Sequence, residues 1–339
     1  MTDIDTAFHP IEAARNWLAA DLRVALATVV ETWGSSPRPV GSHLVVNEKA
    51  AFAGSVSAGC IESFLVSEML DVIEEGVPRL LTYGISDDQA QEARLSCGGT
   101  IQVYIEPVTD RRMLETLCEK RPTARIISLA DGRWALSDTS GSMELNEALR
   151  TILAQGKSTG QSRRLTIDDQ DVMVTAYPLP RRLVIVGAVH IAQFLVPMAT
   201  LAGFQTTVVE PRHAYARSES FPGYCIDSRP VADAMADMAM DSNTAVVTLA
   251  HDPLLDDPTL IAALRSDAFY IGCLGSHRTH AQRLERLHTK GFDHQALDRL
   301  HGPVGLDLGG RAPAEIAVSI LAEIVATRYN KAPTRKPTA

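Results

Sequence analysis

The sequence is poor in the features that staple, anchor or hand a chain to nucleic acid. Its five cysteines, Cys60, Cys97, Cys118, Cys225 and Cys273, are odd in number, far apart and form no CxxC. That argues against a disulfide framework and fits reduced thiols in the cytosol. No uninterrupted apolar run is long enough to span a bilayer. The opening MTDIDTAFHP carries early acids and no apolar segment, so no signal peptide is expected. Basic excess is absent too: the formal net charge is -9. Nucleic acid is therefore not the expected partner, although a local basic pocket for one phosphate is compatible with that charge. There is no internal repeat and no low-complexity block.

What is present is ordinary globular composition, 45% apolar and 22% charged over 339 residues. This length suggests two domains. Residues 1–180 read as a mixed α/β domain. Apolar β-branched strands fall at 23–30, 43–46 and 51–57, and a helix at 61–75 repeats its apolar residues every three or four positions. A strand follows at 100–106, then a helix near 111–119, a strand at 124–129, a helix at 144–154 and a strand at 172–177. Pro178-Leu179-Pro180 is the expected linker. From 181 to 330, uncharged strands alternate with amphipathic helices, the pattern of a doubly wound, Rossmann-like parallel sheet covered on both faces. Its helices are expected near 191–201, 231–238, 258–265, 279–290 and 313–329. The basic, Pro-rich residues 331–339 read as a disordered tail.

In the second domain the first strand–helix turn is Gly187-Ala188-Val189-His190, and Glu210 ends the second strand. Gly187 suits a tight turn and Glu210 stands where a ribose-binding acid belongs. Val189 replaces the glycine that lets a pyrophosphate approach, which crowds a dinucleotide. The fourth and fifth strands end in Ala250-His251-Asp252 and Gly275-Ser276-His277-Arg278. Ligands sit at such carboxyl ends. Ser276 and Arg278 at a helix start make either a phosphate site or a plain cap. Asp307, within Gly305-Leu306-Asp307-Leu308-Gly309-Gly310, either binds a ligand or satisfies turn amides.

In the first domain, Cys60 follows Gly59 at a helix start, where the helix dipole favours a thiolate. Cys97 precedes Gly98 and Gly99, whose amides could cup an anion beside the sulfur. Each cysteine also reads as a small buried hydrophobe. Ser35, Ser36 and Arg38 form a second polar loop able to hold phosphate or pterin edges.

Several ordered motifs resemble the XdhC/CoxI family of xanthine dehydrogenase accessory proteins: Gly34-Ser35-Ser36-Pro37-Arg38, Gly54 to Glu62, Cys97-Gly98-Gly99, Val209-Glu210-Pro211-Arg212, His251-Asp252, Ile271 to Ser276 and Gly305 to Gly309. The resemblance spans residues 20 to 330. It implies a cytoplasmic maturation factor, dimeric like other members. Such a factor binds molybdenum cofactor (molybdopterin), assists its sulfuration with a cysteine desulfurase, and passes it to an apo-molybdenum hydroxylase of xanthine or CO dehydrogenase type. Ser276 and Arg278 would then hold the cofactor phosphate, and Cys97 would touch the thiophilic metal. The competing expectation is an NAD(P)-dependent oxidoreductase with Glu210 on the ribose and His251 as acid or base.

Overall fold

The computed structural model describes residues 9–34, 38–84, 99–119, 121–138, 141–216, 218–224 and 226–331. Ser35, Ser36, Cys97, Gly98, Cys225 and nearly all of the 331–339 tail lie outside them. The chain divides into two compact units, Met1–Leu179 and Pro180–Ala339.

The first unit opens with α1 (Pro10–Ala19), β1 (Val24–Trp33), β2 (His43–Asn47), β3 (Phe52–Gly54) and α2 (Glu62–Glu75). It continues with β4 (Arg79–Tyr83), β5 (Thr100–Val108), α3 (Arg111–Leu117), β6 (Thr123–Ser128) and β7 (Trp134–Leu136). Helix α4 (Glu147–Thr159), β8 (Arg163–Ile167) and β9 (Gln170–Tyr177) complete it. Its two antiparallel sheets have the orders β3-β2-β1-β5-β4 and β7-β6-β9-β8. Strand β1 is apolar through most of its length because both of its faces are covered. Ala25, Ala27 and Val29 pack with Leu65, Met69 and Val72 of α2. Val24 and Leu26 pack with Ala13, Ala14 and Leu114 of α1 and α3.

Two strand ends depart from the sequence pattern. Strand β1 runs on past Val30, because beyond a bulge its Glu31–Trp33 segment pairs with Gln102, Ile101 and Thr100. The strand expected to reach Ser57 stops at Gly54, because Glu62 captures the backbone that follows.

The second unit comprises β10 (Arg181–Val186), α5 (His190–Leu201), β11 (Phe204–Val209), β12 (Ile226–Asp227), α6 (Val231–Asp237) and β13 (Thr244–Thr248). After these come α7 (Pro253–Leu264), β14 (Tyr270–Cys273), α8 (His277–Thr289), α9 (His294–Leu297), β15 (Leu300–His301) and α10 (Pro313–Arg328). The sheet is parallel with order β12-β11-β10-β13-β14-β15, the doubly wound arrangement whose winding reverses between β10 and β13. Strand alternation serves two cores. Leu183 and Ile185 meet Leu195, Ala199, Ile320 and Ile324 of α5 and α10. Val184 and Val186 meet Ala234, Leu260 and Leu287 of α6, α7 and α8.

Helix α7 begins at Pro253 rather than at Pro258. The Asp252 carboxylate accepts the Leu254 amide at 3.0 Å, Pro253 fits the first helical position, and Pro258 lies inside the helix. The carbonyl that Pro258 leaves without a donor belongs to Leu254, which is exposed to water.

Candidate functional site

At the carboxyl edge of the parallel sheet Gly187 follows β10 directly, and His251 and Gly275 lie three and two residues beyond the ends of β13 and β14. The expected ligand loops therefore share one edge. Gly187, at φ +110, needs to be glycine: a side-chain carbon there would lie 2.9 Å from the Ala250 nitrogen in the neighbouring turn.

Glu210 does not stand ready for a ribose. It is fully buried, and its Oε2 accepts the Ala188 amide at 2.9 Å and Arg212 Nη2 at 2.8 Å. Its Oε1 accepts the Arg212 amide at 3.0 Å and Nε at 2.8 Å. Burial alone would raise the carboxyl pKa. The hydrogen bonds from Arg212 and Ala188 outweigh it and hold the group below its usual range. The arginine in turn lies over the Tyr215 ring at 4.4 Å. The ribose expectation for Glu210 is thus corrected: Arg212 occupies the carboxylate, and an amide of the first turn is committed to it.

His251 is exposed with a left-handed backbone, φ 56. Asp252 caps α7. Ser276 caps α8, accepting the Thr279 amide at 3.1 Å. Arg278, in the first turn of α8, is exposed and makes no side-chain hydrogen bond or ion pair with the described residues. Asp307 is exposed and accepts the Gly309 amide at 3.2 Å, as a turn residue does.

Between the α8 start and the 303–310 loop lies a cavity of about 450 Å³, bordered by Leu274, His277, Val304, Gly305, Asp307 and Glu315. That volume falls in the range of small-cofactor sites. Helix α10 shapes the loop from behind. Glu323 Oε2 accepts the Gly305 amide at 2.7 Å and Tyr270 Oη at 2.6 Å, and Oε1 meets His301 Nδ1 at 3.1 Å. Gly305, at φ +95, passes so close that an added side-chain carbon would sit 2.3 Å from Ser319 Oγ.

Below the same edge are groups that no sequence motif marks. Arg283 of α8, 1% exposed, donates from Nη2 to the Leu274 carbonyl at 2.9 Å and meets Asp256 Oδ2 at 3.4 Å. Its Nε and Nη1 have no partner among the described residues, and neither do Asp256 Oδ1, Thr248 Oγ1 and His280 Nδ1. One sequence signal existed: Thr279, Arg283 and Leu287 share a helix face at four-residue spacing, so Arg283 stands on the apolar stripe.

In the first unit the strand register brings three motifs to one end of the five-stranded sheet. Trp33 at the close of β1 pairs with Thr100, which Gly99 precedes, and Gly54 at the close of β3 pairs with Leu44. Arg38 lies on the surface in the bend before β2. The segment after Gly54 is gathered by Glu62. Its Oε1 accepts Ser55 Oγ at 2.6 Å and the Ser57 amide at 2.9 Å, and its Oε2 accepts the Gly59 amide at 2.8 Å and the Ser57 hydroxyl. Burial opposes ionisation, but the Ser55 and Ser57 hydrogen bonds prevail and bring the Glu62 pKa down to about 2.

Cys60 stands just ahead of the α2 start, as expected, but the surrounding amides are already committed. The helix starts at Glu62, the half-buried Cys60 side chain packs against the core under α2, and the flanking Gly59 and Ile61 amides already donate to Glu62 and Ser57. The chain has no group of three or more potential metal ligands among its described residues. It also has no helix there long and apolar enough to cross a membrane.

Comparison with known proteins gives matches along both units. Residues 183–324 match the family model described as the XdhC Rossmann domain, and residues 17–84 match that of the XdhC and CoxI family. A molybdenum cofactor insertion chaperone of Escherichia coli, PaoD, is 26% identical over 306 residues, 90% of this chain and 84% of that protein. A Bacillus subtilis protein named as a probable xanthine dehydrogenase component is 26% identical over 322 residues, 89% of this chain and 92% of the relative. A Bacillus halodurans crystal structure described as a xanthine dehydrogenase superposes with a TM-score of 0.78 at 25% identity, covering 97% of this chain and 98% of that one. With two family models matched in order and the fold shared over nearly its whole length, the chain belongs to the XdhC/CoxI family.

Proposed function

We propose that this chain is a carrier for molybdenum cofactor: it binds the cofactor as cargo, assists its sulfuration, and delivers it to an apo-molybdenum hydroxylase of xanthine or CO dehydrogenase type. The name of the PaoD relative supports the cargo, and that of the Bacillus subtilis relative supports the kind of client. The observation that carries most weight is the cavity of about 450 Å³ at the carboxyl edge, beside the start of α8.

On this reading Gly305 to Gly310 allow close approach of the pterin, and Ser276, His277 and Arg278 receive the phosphate. Gly187, His251, Asp252 and Asp307 border the same edge. Glu210 acts from behind by fixing the first turn. Separately, the first unit is proposed to contribute Arg38, Cys60 and Gly99, with Ser35, Ser36, Cys97 and Gly98 from outside the described residues, as polar and thiol groups of its own. Cys97 is assigned the contact with molybdenum, a metal that favours soft sulfur. A cysteine desulfurase as sulfur donor, a homodimer and a cytoplasmic setting complete the proposal.

Nicotinamide nucleotide is left out of it, because Arg212 and Ala188 saturate the acid that would take the ribose. The test is retention of molybdenum through gel filtration of the full chain, read per protomer by elemental analysis, with Cys97→Ala as the informative variant.

A further inference from the structure

We infer that the turn from Leu274 to Arg278 is a built anion site for a phosphate dianion, with the buried Arg283 as its positioning residue. Three observations converge. First, the amides of His277 and Arg278 open the 13-residue helix α8 and make no hydrogen bond within the described chain, while Ser276 caps Thr279. Such amides, at the positive end of the helix dipole, attract anions. Secondly, Arg278 presents a second, exposed guanidinium in that first turn. Thirdly, the Arg283 guanidinium sits directly under the turn. Its Nη2 holds the Leu274 carbonyl at 2.9 Å and lies 3.7 Å from where a Gly275 side chain would begin, and its Nε and Nη1 are buried without partners among the described residues.

Buried polar groups are normally satisfied, so a half-used guanidinium in this place calls for further acceptors. Asp256, equally buried, forms an ion pair with Nη2 at 3.4 Å and balances the guanidinium charge, but it leaves Nε and Nη1 without acceptors among the described residues. Gly275, at φ +150, adopts a backbone conformation that side chains disfavour, and an added side-chain carbon would press on Thr279 at 3.3 Å. Arg283 thus fixes the carbonyl of Leu274 beneath the turn and orders the amides that follow. The anion site itself is independent of the cargo. Its identification with the cofactor's phosphate rests on the carrier reading.

The probe is inorganic phosphate added to the full chain, with chloride at matched ionic strength as the control. Phosphate is expected to raise the thermal unfolding midpoint, since a ligand that binds only the folded state stabilises it. Arg278→Gln, a surface change, should raise the half-saturating concentration about tenfold. Arg283→Lys keeps the charge but loses the planar fork, and should weaken binding by a similar factor. Should Arg283→Lys not fold, the Nε–H resonance of Arg283 in the wild-type chain serves instead, and is expected to shift on phosphate addition. No stabilisation of the wild type by phosphate overturns the site. Phosphate binding that Arg283→Lys leaves intact, or a stationary Nε–H signal, overturns the role of Arg283 and leaves its free nitrogens to internal water. Molybdenum content, measured on the same samples, reports on the carrier reading separately: a chain that retains molybdenum without responding to phosphate refutes this inference alone.

Discussion

The Glu210 carboxylate accepts the Ala188 amide at 2.9 Å. A side chain at the end of the second strand thereby closes the turn where a dinucleotide's pyrophosphate would need free amides. Calorimetric titration with NAD and NADP is expected to give no measurable binding. Micromolar affinity for either would overturn this view of the turn and return the chain to the oxidoreductases.

The same pair has a structural cost when broken. Glu210→Ala would leave the Ala188 amide and the partly exposed Arg212 without their acceptor. Urea unfolding should show a loss of about 2 kcal/mol. A loss below about 1 kcal/mol would mean that water replaces the carboxylate.

Acid should weaken the first unit in two steps. Burial and the nearby Arg125 bring the His43 pKa from 6.5 to about 4, where the neutral ring meets Thr28 Oγ1 and Tyr177 Oη, each at 3.0 Å. The unfolded chain takes up that proton first, so this stability is present above pH 6.5 and is lost as pH falls toward 4. Glu62, ordinarily near 4.5 and here about 2, contributes stability above 4.5 that disappears as pH falls toward 2. His43→Gln should flatten the first interval and Glu62→Gln the second, as read by denaturant midpoints across the pH series. Unchanged slopes would refute the assignment.

Much of this was legible in the sequence. Runs such as Leu183–Val186 and Thr244–Leu249, uncharged and bounded by glycine or polar turns, read as parallel strands, because a strand covered on both faces has no place for charge, and they form β10 and β13. Short edge elements were not legible. Strands β12 and β15 are two residues each and take their place from pairing with β11 and β14. Strand β8 alternates too weakly to stand apart from its loop. Arg164 ties it to Asp171 of β9 and Glu31 of β1, contacts remote or ambiguous in sequence.

The glycine, serine and aspartate motifs of the second unit were legible as turns at the carboxyl edge of its sheet, because turns that expose amides need those residue types. Arg283 and Glu323 were missed, since a single charged residue within a helix gives no sign of the carbonyl or amide it will hold. Glu62 lay inside a recognised motif, yet its grip on Ser55, Ser57 and Gly59 became apparent only in three dimensions.

A buried pair tests the junction of the two sheets of the first unit. Arg125 reaches Glu106 with both terminal nitrogens at 2.6 Å, and the two side chains are 3% and 7% exposed. Glu106→Ala should cost about 3–5 kcal/mol by stranding the guanidinium, whereas replacing both residues by apolar ones of similar volume should cost much less. A double-variant loss equal to the sum of the two single losses would show that the charges are not coupled.

The central claim is that this chain carries molybdenum cofactor, with Cys97 against the metal. It is tested most directly by expressing the full chain where the cofactor is made, passing it through gel filtration and determining molybdenum per protomer. The expected result is molybdenum well above the level of an unrelated control protein in the wild type. Cys97→Ala should hold much less, with circular dichroism unchanged, while Cys60→Ala should show a smaller loss and Cys118→Ala none. Folded wild-type protein carrying no more molybdenum than the control would contradict the carrier role.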